Sequence, residues 1–233
     1  MPTPNYNIVW DETSKRFYET GTDHGVLYVQ AADGSYPKGV AWNGLTAVTE
    51  SPEGAEPTDL WADNIKYLTL RSAEQFKFTV EAYTYPDEFC ECNGEKELAS
   101  GVVVGQQARK AFGMCYRSVV GNDVANNDYG YKLHLIYGAT CSPSEKAYAT
   151  VNDSPEAITF SWEATSTPIN TTGIDKPVYQ ITIDSTKADA DDLATLESKL
   201  YGTAADNTDP QNPVAAVDGY LPLPAEVMQI FGE

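Results

Sequence analysis

Basic side chains, histidine, cysteine and long apolar runs are all scarce in this chain. Its 233 residues include 15 Lys and Arg, two His and four Cys, against 34 Asp and Glu, for a formal net charge of −19. A nucleic-acid-gripping surface needs a basic patch, because phosphate attraction supplies most of that affinity, and so large an acidic excess argues against one. No stretch approaches the roughly 18 apolar residues that a membrane span requires. The opening Met1-Pro2-Thr3-Pro4-Asn5 lacks the basic and apolar regions of a secretory leader, so neither membrane insertion nor export by that route is expected.

The few chemistry-bearing residues are not arranged for catalysis. Cys90 and Cys92 form a Cys-X-Cys corner, but Cys115 sits within an apolar strand pattern, so all four cysteines, Cys141 included, read as reduced thiols. His24 lies in a Gly-rich turn and His134 in an alternating strand, both read as structural. Nucleophile-elbow, zincin and phosphate-loop motifs are absent from the sequence. Asp184, Asp189, Asp191 and Asp192 suggest calcium but miss the EF-hand spacing, and capping of a helix explains them better. Pairs such as Glu88 and Glu91 carry no weight in so acidic a chain. The expectation is no catalytic residue, no metal ligand and no cofactor.

What the chain does have is strand-forming sequence. Tyrosine (15), tryptophan (4) and many β-branched residues fall in alternating segments between turn clusters, so a mainly β fold is expected. Strands are read at Asn5 to Trp10 and at Val26 to Val29, with a Gly21 to Gly25 loop before the second. Others are read at Trp42 to Thr49 with a bulge near Gly44, Ile65 to Leu70, Gln75 to Tyr83, Ala157 to Ser166 and Val178 to Asp184. Ala111 to Val120 and Tyr129 to Gly138 read as a central hairpin, and Tyr85 to Gly94 as a short helix or turn.

One flanking helix is predicted at about 186–201, capped by Ser185-Thr186, with Leu193, Leu196 and Leu200 as its apolar stripe and Tyr201-Gly202 at its end. These elements define a β domain over 1–202. Residues 203–233 read as an acidic, proline-rich extended arm, on the domain or a neighbouring subunit, whose final Val227 to Phe231 is apolar enough to dock.

Between two strands lies the acidic Glu50 to Asn64, with Pro52 and Pro57 keeping it out of a central sheet. It reads as a long inter-strand loop, and Leu60-Trp61 would be costly to leave in water. Two readings stand: a docking loop, or a tip whose tryptophan folds back on its own domain. The candidate docking residues are Glu50, Glu53, Glu56, Asp59, Leu60, Trp61, Asp63 and Asn64.

Several separate motifs then occur in order: Ser51-Pro52-Glu53-Gly54-Ala55-Glu56 with Trp61 to Tyr67, Phe112 to Arg117, Gly121-Asn122-Asp123, Tyr129 to Gly138 and Ser154 to Glu163. Over roughly Trp42 to Gly202 the chain closely resembles major tail proteins of long, flexible-tailed bacteriophages. The resemblance implies a β-sandwich or barrel-like tail-tube protomer, six of which form a ring, with rings stacking into a hollow tube through which DNA passes without specific binding. It further implies a virion tail location after synthesis in the host cytoplasm, and partners that are copies of itself, a tape measure protein and tail-end proteins. The Glu50 to Asn64 loop would reach an adjacent ring with Trp61 as its anchor, and negative lumen walls would let DNA slide. Two other classes remain: a carbohydrate-binding β-sandwich using exposed aromatics, and a hydrolase using scattered carboxylates.

Overall fold

Lys77 to Ala82 shows in miniature how the fold is built: Phe78, Val80 and Ala82 are buried while Lys77, Thr79 and Glu81 are only partly covered, the period-two pattern of a strand on a core. The computed structural model describes residues 8–54, 56–151, 153, 156–205 and 215–232. Their strands are β1 (Phe17–Val29), β2 (Gly39–Ala41), β3 (Leu45–Glu50), β4 (Glu53–Gly54), β5 (Pro57–Ala62), β6 (Ile65–Arg71) and β7 (Glu74–Gln75). They continue with β8 (Lys77–Ala82), β9 (Lys96–Ala99), β10 (Val102–Val104), β11 (Phe112–Asn122), β12 (Asn126–Cys141), β13 (Phe160–Ser166) and β14 (Gln180–Asp184). The helices are α1 (Phe89–Cys92), α2 (Ala190–Tyr201) and α3 (Pro224–Ile230). With 45% strand and 11% helix, the protein is mainly β.

The main sheet is antiparallel and eight-stranded, in the order β2-β1-β11-β12-β13-β8-β3, with β14 as a branch on β12. One edge of β12 pairs with β11; the other is shared, Lys132 to Ile136 bonding β14 and Ala139 to Cys141 bonding β13. Gly138 sits at that fork with φ +60°, and a Cβ there would stand 2.3 Å from the Thr167 carbonyl oxygen, so only glycine fits. The far end of the sheet comes back against β1, where β3 packs so closely that a Cβ on Gly25 would stand 3.0 Å from Leu45 Cδ2.

Alternation along β1, β11 and β12 feeds two cores. Leu27, Met114, Tyr116 and Ile136 face an aromatic-rich interior with Trp42, Phe78, Phe89, Phe112 and Trp162. Their neighbours Val26, Tyr28, Cys115, Leu133, Leu135 and Tyr137 face α2 and α3, meeting Leu193, Leu196, Leu200 and Val227. The helix layer is pinned by polar ends: the Tyr28 hydroxyl donates to the Leu200 carbonyl at 2.8 Å, and Lys199 of α2 pairs with Glu226 of α3 at 2.7 Å.

Several expectations are corrected. Ile8, Val9 and Trp10 are exposed and outside any strand, while Asn5 to Asn7 lie outside the described residues. The Gly21 to Gly25 segment is strand, because two irregularities in the β1–β11 register absorb its glycines without ending the pairing. The bulge of β3 falls between Leu45 and Ala47; Gly44 instead makes a positive-φ turn just before it. The cap of α2 is Asp189, whose carboxylate accepts from the Asp191 and Asp192 amides, because the Ser185 hydroxyl is taken by the Tyr131 amide of β12 and Thr186 by the Asp184 carboxylate.

The chain after Gly202 is not simply extended. Residues 206–214, with Pro210 and Pro213, lie outside the described residues, but α3 starts at Pro224, where a missing N–H costs a helix nothing. Leu221 and Val227 are buried against the β domain, and the Tyr137 hydroxyl donates 3.0 Å to the Pro222 carbonyl.

A candidate docking arm

Most of Glu50 to Asn64 is strand, and the expected loop is half of an arm. Strands β5 and β6 pair only with each other, and β4 with β7 pairs at their base. Asp63 and Asn64 form the two-residue turn with φ of 51° and 60°, the left-handed pair that a tight hairpin of this hand requires and that Asp and Asn tolerate. That Asp-Asn pair between two alternating runs was the signal for a hairpin.

Register divides the arm into unlike faces. Thr58 opposes Leu70, Leu60 opposes Leu68 and Ala62 opposes Ile65, giving one largely apolar face. Asp59 and Thr69 oppose each other on the other face, where Asp59 accepts from the Thr69 hydroxyl at 2.7 Å and from the Lys66 ammonium at 2.8 Å. Those two bonds, Lys66 first, hold the Asp59 carboxyl below its ordinary range.

The arm touches little of its own chain: Trp61 is 68% exposed, Tyr67 67%, Ile65 62% and Leu70 53%. Trp61 therefore does not fold back onto the domain. Ile65, Tyr67, Leu68 and Leu70 join the exposed surface, residues that the expected loop, ending at Asn64, left out. A lone two-stranded hairpin is marginal in water, and its exposed apolar side chains make it a candidate contact surface.

Not all of the predicted residues lie on the arm. Glu53 at its base pairs with Lys77 at 2.7 Å, Glu56 and Asp63 are exposed, and Glu50 belongs to the body. The Glu50 carboxylate accepts from the Tyr116 hydroxyl and the Gln180 amide, with His134 Nδ1 at 3.9 Å. On the opposite root strand, the Tyr179 hydroxyl donates 2.9 Å to Glu74. The arm is thus fastened at both roots to the β14 side of the sheet.

His134 completes the brace. Its ring lies flat on Tyr116, with centroids 4.7 Å apart and planes 9° apart, and its Nε2 is 2.9 Å from the Ser118 hydroxyl. Burial pushes its pKa down, against the nearby carboxylates of Glu50 and Glu19, so it is held neutral. Serine, histidine and glutamate in sequence would suit nucleophilic catalysis, but the Glu50 oxygen that would orient Nδ1 is engaged by Tyr116 and Gln180. The geometry suits bracing better than proton transfer.

Among the described residues no group of three or more His, Cys, Asp or Glu could hold a metal ion. Also among them, no helix is long and apolar enough to cross a membrane. Cys90, Cys92, Cys115 and Cys141 are free thiols, and burial raises the latter three to about 12. No protein-family model and no curated protein matches this chain.

Proposed function

We propose that this chain is a tail tube subunit of a long, flexible-tailed bacteriophage, a structural protein of the virion that acts by assembling with copies of itself. The observation that carries the reading is the arm: an apolar-faced hairpin, fixed at its roots and touching almost nothing of its own chain, on a curled antiparallel sheet backed by helices. The ordered motifs over Trp42 to Gly202 point the same way. In this reading the curled sheet is a barrel-like protomer and six protomers close a ring by continuing one another's sheets, which covers edge strands that otherwise invite aggregation. The arm reaches the next ring, with Trp61 and its apolar neighbours as anchors.

The six-membered ring carries six times the −19 of the chain, −114, so apolar burial and buffer ions must offset repulsion when rings stack. Acidic side chains at the inner wall repel a moving polyanion and let DNA pass without sticking. A tape measure protein in the lumen and tail-end proteins at the termini complete the partners.

Light scattering across concentration and salt, with electron microscopy, tests the reading: rings or tubes with a hollow lumen are expected, and a strict monomer under every condition would overturn it. A second reading, a carbohydrate-binding module, draws on one cavity of about 440 Å³ lined by Phe17, Tyr18 and Tyr129 with Glu19, Lys132 and Asp184. Phe17 and Tyr129 lie 5.1 Å apart there and are exposed, as a sugar-stacking platform would be. Glycan binding abolished by Tyr129→Ala would favour it.

A further inference from the structure

Another apolar surface of the molecule is a groove beside the outer edge of β14. It has a volume of about 490 Å³ and is lined by Ile174, Ile181 and Ile183 on one side and by Val227, Met228 and Phe231 of the C-terminal segment on the other. That size takes several side chains. β14 pairs with β12 alone, so its other edge borders the groove. Lys187 and Asp184 stand at the rim, where the Lys187 side chain is 80% exposed and bonds Asp184 at 3.2 Å.

We propose that this groove receives the β5–β6 arm of a second copy of the chain. The inference rests on the self-assembly reading above and names the surface that the arm contacts. Three observations select this occupant. The arm is the complementary apolar surface, and its 42% exposure at Leu60 and 62% at Ile65 show that its own chain does not fill the role. Its six-residue strand β5 spans about 20 Å at roughly 3.3 Å per residue, enough to leave its own subunit. Finally, copies with a formal charge of −19 repel one another over most of their surfaces. Contact is then favoured where an apolar face meets an exposed cation, and Lys187 at the groove rim answers Asp63 at the arm's tip.

The partner's apolar face, with Leu60, Ile65 and Leu68, enters the groove, and the partner's Asp63 turn lies over Lys187. The Lys187 ammonium is 80% exposed beside Asp184, so an incoming carboxylate can reach it without displacing Asp184 from its bonds to Thr186.

Disulfide trapping tests this with the full-length chain in a Cys90→Ser background. One preparation carries Ala62→Cys at the arm tip, a second carries Met228→Cys in the groove, and the two are mixed under mild oxidation over a range of concentrations. The expected product is an Ala62-to-Met228 cross-link between copies, identified by mass spectrometry. Lys187→Glu is expected to weaken association about fivefold, and adding Asp63→Lys to restore it. Circular dichroism checks that each variant is folded.

Tubes that form without the cross-link overturn the groove while leaving the tube reading in place. Cross-linked copies that never build rings uphold the groove and remove the tube. No cross-link at any concentration, with folded variants, overturns the groove.

Discussion

Tyr179 lies flat against Phe76, with ring centroids 4.6 Å apart and 13° between planes, while its hydroxyl holds Glu74 at 2.9 Å. This contact joins the last root strand of the arm to the segment leading into β14. Tyr179→Leu removes both the stacking and the bond, and should cost the whole molecule about 1 kcal/mol. Its larger effect should be local: amide exchange in β5 and β6 speeds up more than exchange in β11 and β12. Uniform acceleration across all four strands would show that the tyrosine does not act on the arm in particular.

Trp61→Ala should separate folding from assembly. The side chain is 68% exposed, so its loss should change unfolding free energy by less than about 0.5 kcal/mol. Tube length in electron micrographs should collapse to single rings. Tubes of unchanged length would remove Trp61 from the interface.

Stability should fall with acid in two separate steps. Burial holds the His134 pKa below its ordinary value, with Lys132 adding to and Glu50 and Glu19 opposing the shift, so the unfolded state binds that proton more readily. Its contribution is complete above the unfolded pKa near 6.5 and is lost as pH falls toward the lower folded value. Asp23, held down chiefly by its bonds to Arg117 at 2.7 and 3.0 Å, contributes above about pH 4 and loses that contribution below it. Denaturant midpoints measured from pH 8 to pH 3 should show both steps, and His134→Gln should erase only the first.

Thiol labelling should distinguish one cysteine from three. Cys92, Cys115 and Cys141 are buried with pKa values raised to about 12, whereas Cys90 is half-buried. Native protein at pH 8 should label slowly at Cys90 alone, and unfolded protein at all four positions. Rapid native labelling of Cys115 would mean that the helix layer opens.

That layer has its own test. Leu196→Ala, at a fully buried position on α2, should cost 2–5 kcal/mol, and Asp189→Ala at its cap about 1 kcal/mol. Calorimetry on both variants checks the ordering.

Much of this architecture was legible in the residues because period-two burial is a local pattern. β8, the β11–β12 hairpin and α2 all follow from alternation or a leucine stripe, and the short helix α1 from a proline and an Asn-Gly pair. What escaped depends on long-range pairing. β1 continues through Gly21 and Gly25 because β11 lies beside it, and no local rule foresees that. β2, β9 and β10 are too short to show a period, and α3 hides behind prolines that signal extended chain but also begin helices. On the arm, acidity and two prolines spoke for a loop, whereas Asp63-Asn64 between alternating runs spoke for a hairpin and carried the truer signal. Glu50 was misplaced onto the arm because its partners Tyr116 and Gln180 are 66 and 130 residues away.

The sheet that serves two cores leaves its three central strands with no idle face. Any change in how β1, β11 or β12 sits is felt by the aromatic interior and the helices together. The arm stands outside that bargain. It can bend, fray or accept new side chains at almost no risk to the body, so sequence change that the body would not survive is tolerated there.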